Sequence, residues 1–172
     1  MIATMAALAL SGTGIGAAGL PPTDLPQLFE SACLDGQAKL APGAAAPASF
    51  AALPREVRDD LGTPTSAQVW QLNGDGHSFL YVLDFPAASN VSPRICGVAS
   101  DRMDYHSAAD AVEMRVTGEV HPKTTPAVQW LSLKGGYNAL ATRTGDFSVL
   151  QINWLSDAQR AEAMKACQQN IP

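Results

Sequence analysis

Apolar residues recur along this chain first at helical spacing and then at strand spacing. Leu25, Leu28, Phe29, Ala32 and Cys33 fall at i, i+3, i+4, i+7 and i+8, which places one buried stripe on a helix. Thr23 stands where a cap belongs and Asp35-Gly36 where the helix stops, with the pattern able to run on to Leu40. Pro42 to Pro47, rich in Ala and Gly, reads as an irregular connection, and Leu53 to Leu61 as a short charged helix that begins at Pro54 and ends at Gly62.

From Ala67 the period changes to two. Val69-Trp70-Gln71-Leu72 alternates, Asn73-Gly74-Asp75-Gly76 supplies turn residues, and Ser78-Phe79-Leu80-Tyr81-Val82-Leu83 is apolar on both alternating sets. This predicts a hairpin whose second strand lies mid-sheet with both faces covered. Arg94 to Ala99 reads as a third strand, and Ser107 with Asp110 as a capping box that opens a helix running to Gly118. The second half repeats the order: Val128 to Leu133, a Gly135-Gly136-Tyr137-Asn138 turn, Ala139 to Thr144, Phe147 to Trp154, then a helix capped by Ser156 and Gln159. The prediction is an α+β domain: an antiparallel sheet of about six strands covered by helices. A duplicated strand-strand-strand-helix unit is suggested by the likeness of Val69-Trp70-Gln71-Leu72 to Val128-Gln129-Trp130-Leu131.

Charge sharpens this picture mainly by where it is missing. The chain has 172 residues, 16% of them charged, yet none before Asp24. Ile2 to Leu10 is a short apolar core, followed by the small residues Ser11 to Gly19 that a signal peptidase accepts. Residues 1–19 are therefore expected to be a signal peptide, and 20–172 a single domain of the periplasm or extracellular space. An ordinary signal begins with Lys or Arg, so either a basic segment lies upstream of a misassigned start or the signal is atypical. Gly14-Ile15-Gly16-Ala17-Ala18-Gly19 has the spacing of a dinucleotide-binding turn, but Pro21 and Pro22 follow at once. No crossover helix can grow through them, and no cofactor is expected. Eleven Lys and Arg against sixteen Asp and Glu, with no basic run, argue against nucleic acid as a partner. No apolar stretch reaches the roughly 20 residues of a stable membrane span.

Cys33, Cys96 and Cys167 all fall in elements expected to be buried. In an oxidising compartment one disulfide with one thiol left over is expected. Three pairings exist; Cys33 with Cys96, which ties the first helix to the sheet, is favoured, leaving Cys167 free or as the alternative partner. Zinc ligation would call for local spacing such as C-x-x-C, which is absent, and no metal site is expected. Phe29-Glu30-Ser31-Ala32-Cys33-Leu34, Val69-Trp70-Gln71-Leu72 and Cys96-Gly97-Val98 together resemble small exported bacterial proteins of unknown function. The resemblance spans residues 28 to 100, and implies export and the Cys33–Cys96 pair.

The densest polar cluster is Asp101-Arg102-Met103-Asp104-Tyr105-His106, between a strand and a helix. Asp101, Asp104 and His106 are the candidate catalytic residues: two carboxylates and an imidazole suit acid-base work or a divalent metal, with His77 or His121 able to join on folding. The competing account is a solvated loop in which Asp104 or Ser107 caps the helix. Trp70, Trp130 and Trp154, all on predicted strands, fit the core or an aromatic platform. The expected function is a non-enzymatic binding or structural module for a protein, polymer or small molecule. The alternative is a small hydrolase or metal-dependent enzyme built on Asp101, Asp104 and His106.

Overall fold

The computed structural model describes residues 24–36, 44–74, 76–86, 92–116, 119–124 and 127–169; the expected leader lies outside these residues. The first apolar stripe forms α1, Leu25–Phe29, continued by a wider π-helical turn over Glu30–Leu34. Its cap is Asp24 rather than Thr23: the carboxylate accepts from the Gln27 backbone N–H at 3.1 Å, and Pro26 occupies a first-turn position whose N–H would have no helical partner. The other helices are α2, Arg55–Leu61, α3, Tyr105–Val112, and α4, Asp157–Gln169. Ser156 and Gln159 close the expected capping box of α4 reciprocally, at 2.9 and 3.2 Å.

The strands are β1, Ala45–Ala48, β2, Ser66–Leu72, β3, Ser78–Asp84, β4, Arg94–Ser100, β5, Glu119–Thr124, β6, Ala127–Ser132, β7, Tyr137–Thr144, and β8, Phe147–Trp154. All eight form one antiparallel sheet in the order β1-β2-β3-β4-β8-β7-β6-β5. The fold is thus α+β with an antiparallel sheet, as the periodicity predicts, but with two strands more than expected. The additions are the outermost strands, and each carries a proline: Pro47 in β1, and Pro122 in β5 where the register slips between His121 and Thr124. Proline donates no ladder hydrogen bond, so such segments are tolerated at an edge and give little strand signal in sequence. The β2–β3 hairpin turns as expected at Asn73 and Gly74, both left-handed at φ 56° and 62°.

Each half of the chain is a four-strand meander followed by a helix, and the two meanders meet at β4 and β8. Gly97 pairs with Gln151 at that seam. Outward from this pair, the same row reads Tyr81 and Val69 on one side, Leu140 and Gln129 on the other. The next residues in the chain are then Trp70 and Trp130, so the halves correspond by register about an internal two-fold axis. This places the two tryptophans in equivalent positions, one residue away from the alignment that the local likeness suggests.

Alternation sends the strand side chains to two faces. On one, α1, its π turn and α3 cover Leu80, Val98, Leu150, Ile152, Ala139 and Trp130. Cys33 in the π turn and Cys96 in β4 form a disulfide across that layer, with Cα atoms 5.5 Å apart and a sequence separation of 63. On the other face, α2 and the 3₁₀ turn before it, Phe50–Ala52, bring Leu53, Val57 and Leu61 against Val69, Phe79, Tyr81 and Leu83. Beyond α2 this second face is only half-buried at Asn138, Leu140, Thr142 and Asn153, and exposed at Gln129. Among the described residues no helix is long and apolar enough to cross a membrane.

Candidate functional site

The segment from Asp101 to His106 joins β4 to α3 and lines a depression of about 500 Å³ with Arg143 and Asp146. The three candidate side chains engage different partners. Asp101 Oδ2 lies 2.7 Å from His77 Nδ1, so folding does bring His77 to the segment, on the turn preceding β3. Asp104, not Ser107, is the residue that caps α3: its carboxylate accepts from the Ser107 backbone N–H at 2.9 Å and the Ser107 hydroxyl at 2.7 Å. These bonds, the backbone one foremost, hold its carboxyl below the ordinary aspartate range. His106 is exposed, its ring 4.0 Å from that of Tyr105. The pair that forms is therefore His77 with Asp101, while Asp104 serves the helix terminus. Among the described residues no three His, Cys, Asp or Glu side chains are grouped to hold a metal ion. The side chains of His121 and Cys167 lie outside the described residues.

A second concavity, of about 510 Å³, borders the Cys33–Cys96 disulfide and is walled by Val82, Arg94 and Trp154. Trp154 and Trp70 are half-buried against the main core and Trp130 is fully within it. The strand tryptophans are thus packing residues of the helix-covered layer, not an open platform.

The most structured polar arrangement lies on the opposite face, where the adjacent carboxylates Asp59 and Asp60 read in sequence only as a solvated helix face. It is a groove of about 450 Å³ between the end of α2 and the half-open surface of β7 and β8. Tyr81 begins it. The phenol crosses β4 above Gly97, where an added Cβ would stand 2.5 Å from the hydroxyl. It donates to Gln151 Oε1 at 2.8 Å, and Gln151 Nε2 donates to Asn153 Oδ1 at 2.6 Å. Burial holds the Tyr81 phenol far above the ordinary tyrosine range, and the nearby negative charge of Asp60 pushes the same way. Tyr81 therefore remains a neutral donor. The polarity of the chain then follows: with its oxygen engaged by Gln151, Asn153 has its NH₂ group, a double donor, left for the groove that it lines.

The facing wall carries acceptors. Asp59 and Asp60 end α2, and Asp60 Oδ2 accepts from Thr144 Oγ1 at 2.9 Å, joining α2 to β7. Between the walls run Leu61, Ile95, Leu140 and Val149, an apolar strip. Gln151 and Asn153 sit two apart on β8 and so share this face, but nothing in their local sequence marks them. Only the register that sets Gln151 across Gly97 from Tyr81 does so. The fold is thereby a two-meander antiparallel sheet with one helix-packed face and one grooved face. Comparison with protein-family models, with curated proteins and with solved structures finds no match for the chain.

Proposed function

We propose that this protein is an exported, non-enzymatic binding module that holds a small ligand in the groove between α2 and the β7–β8 surface. The observation that carries the reading is the Tyr81–Gln151–Asn153 chain, which runs from the core to the groove. A buried row of polar groups is costly unless each is satisfied. Apolar residues at both 81 and 151 would close this row more simply. Here every inner group is satisfied and the last donor is delivered to a concave surface of the size small-molecule sites have, about 300–1,000 Å³. The Asp104 carboxylate, committed to the Ser107 N–H and hydroxyl at the start of α3, favours a binding role over acid-base chemistry for that residue. Export is supported by the charge-free, small-residue start of the chain and by the Cys33–Cys96 disulfide.

The test is a ligand-observed NMR screen of small molecules against the folded protein and against Leu140→Arg, which puts a long side chain into the groove. Ligands that bind the parent and not the variant are the expected result. Hits that all survive Leu140→Arg would place binding elsewhere and remove the reading.

A further inference from the structure

The groove's hydrogen-bonding groups select the chemistry of its ligand, given the binding role proposed above. One wall offers a donor, the Asn153 amide, and the other acceptors, the Asp59 and Asp60 carboxylates. No Lys, Arg or His is among the described lining residues. An anion such as a phosphate or carboxylate can only accept, and would meet the Asp60 carboxylate and an Asp59 carboxylate whose counter-charge, Arg55 at 3.4 Å, is not among the described lining residues. An ammonium can only donate, and would leave the Asn153 NH₂ facing another donor. A hydroxyl does both, donating to a carboxylate and accepting from an amide. Several hydroxyls on a compact ring, whose C–H face lies on the strip of Leu61, Ile95 and Leu140, match donor wall, acceptor wall and apolar floor together. A peptide is disfavoured by topology, because β7 and β8 are both paired on either side and offer no free edge for backbone pairing.

We infer that the ligand is a neutral saccharide of one or two rings, its hydroxyls bridging Asn153 on β8 and Asp60 on α2. Asn153 and Asp60 then set specificity, while Tyr81 and Gln151 act as positioning residues that fix the orientation of the Asn153 amide.

The experiment is chemical-shift mapping on the full folded chain with maltose, cellobiose and N,N′-diacetylchitobiose, beside spermidine, citrate and blocked trialanine. At least one disaccharide should saturably shift the backbone amides of Leu140, Thr142, Gln151 and Asn153. Asn153→Asp keeps an oxygen for Gln151 to donate to and removes the donor, and Asp60→Asn removes the charge. Each should weaken that binding by about tenfold or more, since a site that loses one of its polar partners is left unpaired. Circular dichroism establishes that both variants are folded. Disaccharide affinity unchanged in both variants overturns the assignment. Groove shifts with spermidine, citrate or trialanine and none with any disaccharide overturn the saccharide while leaving groove binding in place. No groove shift with any probe overturns both.

Discussion

The two halves of the sheet have matching strand order and matching register about the Gly97/Gln151 pair, yet they finish the same face differently. In the first half the positions facing α2 are Val69, Phe79, Tyr81 and Leu83, all buried. In the second half the corresponding surface presents Gln129, Asn138, Leu140 and Thr142, exposed or half-buried. One meander has become a core and the other a surface. The difference traces to a covering element: α2 packs on β2 and β3 and ends at Leu61, level with β7 and β8, where the groove opens. A repeated backbone therefore does not oblige a repeated role, because what lies over a sheet decides whether its alternating positions are filled with hydrocarbon or with amides.

The helices that follow the two meanders differ as well. Following β4, α3 buries Tyr105, Ala108, Ala109 and Val112. Following β8, α4 is exposed or half-buried along its described side chains, 157–165. Cover over β4 and β8 comes from α1 and its π turn, which the disulfide fastens to β4. The largest prediction addresses that fastening. Reduction, or a Cys33→Ser/Cys96→Ser pair, should cost about 4 kcal/mol in urea unfolding, the chain-entropy value for a closed loop of this length. An unchanged unfolding midpoint would mean that α1 holds its place without the bond.

Next in size is the contrast between the covered and open halves. Leu53→Ala, under the turn that leads into α2, should lose about 3 kcal/mol because Leu53 is 2% exposed. If it cost no more than Leu140→Ala, the difference between the halves would not be one of packing.

The seam itself is tested by Gly97→Ala. The new methyl would meet the Tyr81 hydroxyl at 2.5 Å and the Leu150 carbonyl oxygen at 2.8 Å, and overpacking of this kind costs about 1–3 kcal/mol. Adding Tyr81→Phe should recover little of the loss, since the ring carbon Cζ, 2.6 Å from the new methyl, and the Leu150 carbonyl still clash; full recovery would show that the hydroxyl contact alone matters.

Tyr81 also predicts a pH dependence. An acid whose folded-state pKa is raised keeps its proton in the native protein while the unfolded chain releases it above the ordinary value of 10.0. Stability attributable to Tyr81 is full below pH 10 and falls as pH rises, by about 1.4 kcal/mol per unit. Tyr81→Phe should lack that slope when denaturation is followed from pH 9 to 11. The smallest effect is expected at Leu140→Ala, under about 1 kcal/mol at a partly buried site, which should alter ligand binding more than stability.

Local patterns foretold the elements that depend on local physics. The stripe from Leu25 to Cys33, the Asn73-Gly74 turn, the doubly apolar β3 and the Ser156/Gln159 capping box are all read correctly from spacing alone. The Cys33–Cys96 bond was one of three pairings, and the fold selects it by bringing the π turn over β4. Strand β1 was illegible because Ala45-Ala46-Pro47-Ala48 has no strand propensity of its own and exists by pairing with β2. Asp101, Asp104 and His106 drew attention by being close in sequence, yet a turn and a helix start send them to different partners. The groove is the converse case. Tyr81, Gln151, Asn153 and Asp60 are scattered over the chain, and their association is a property of sheet register, which no window of sequence contains.

The two prolines at the margins of the sheet have a consequence for life at high concentration. Among the described residues this sheet of eight strands has two unpaired borders, each a template on which another molecule's strand could add and begin a polymer. Here one border is only four residues long and interrupted by Pro47, and the other is broken at Pro122 by a slipped register. A strand arriving at either border meets a proline, which has no N–H to donate. Two prolines thus guard the rims of the sheet against strand addition, a protection independent of the disulfide.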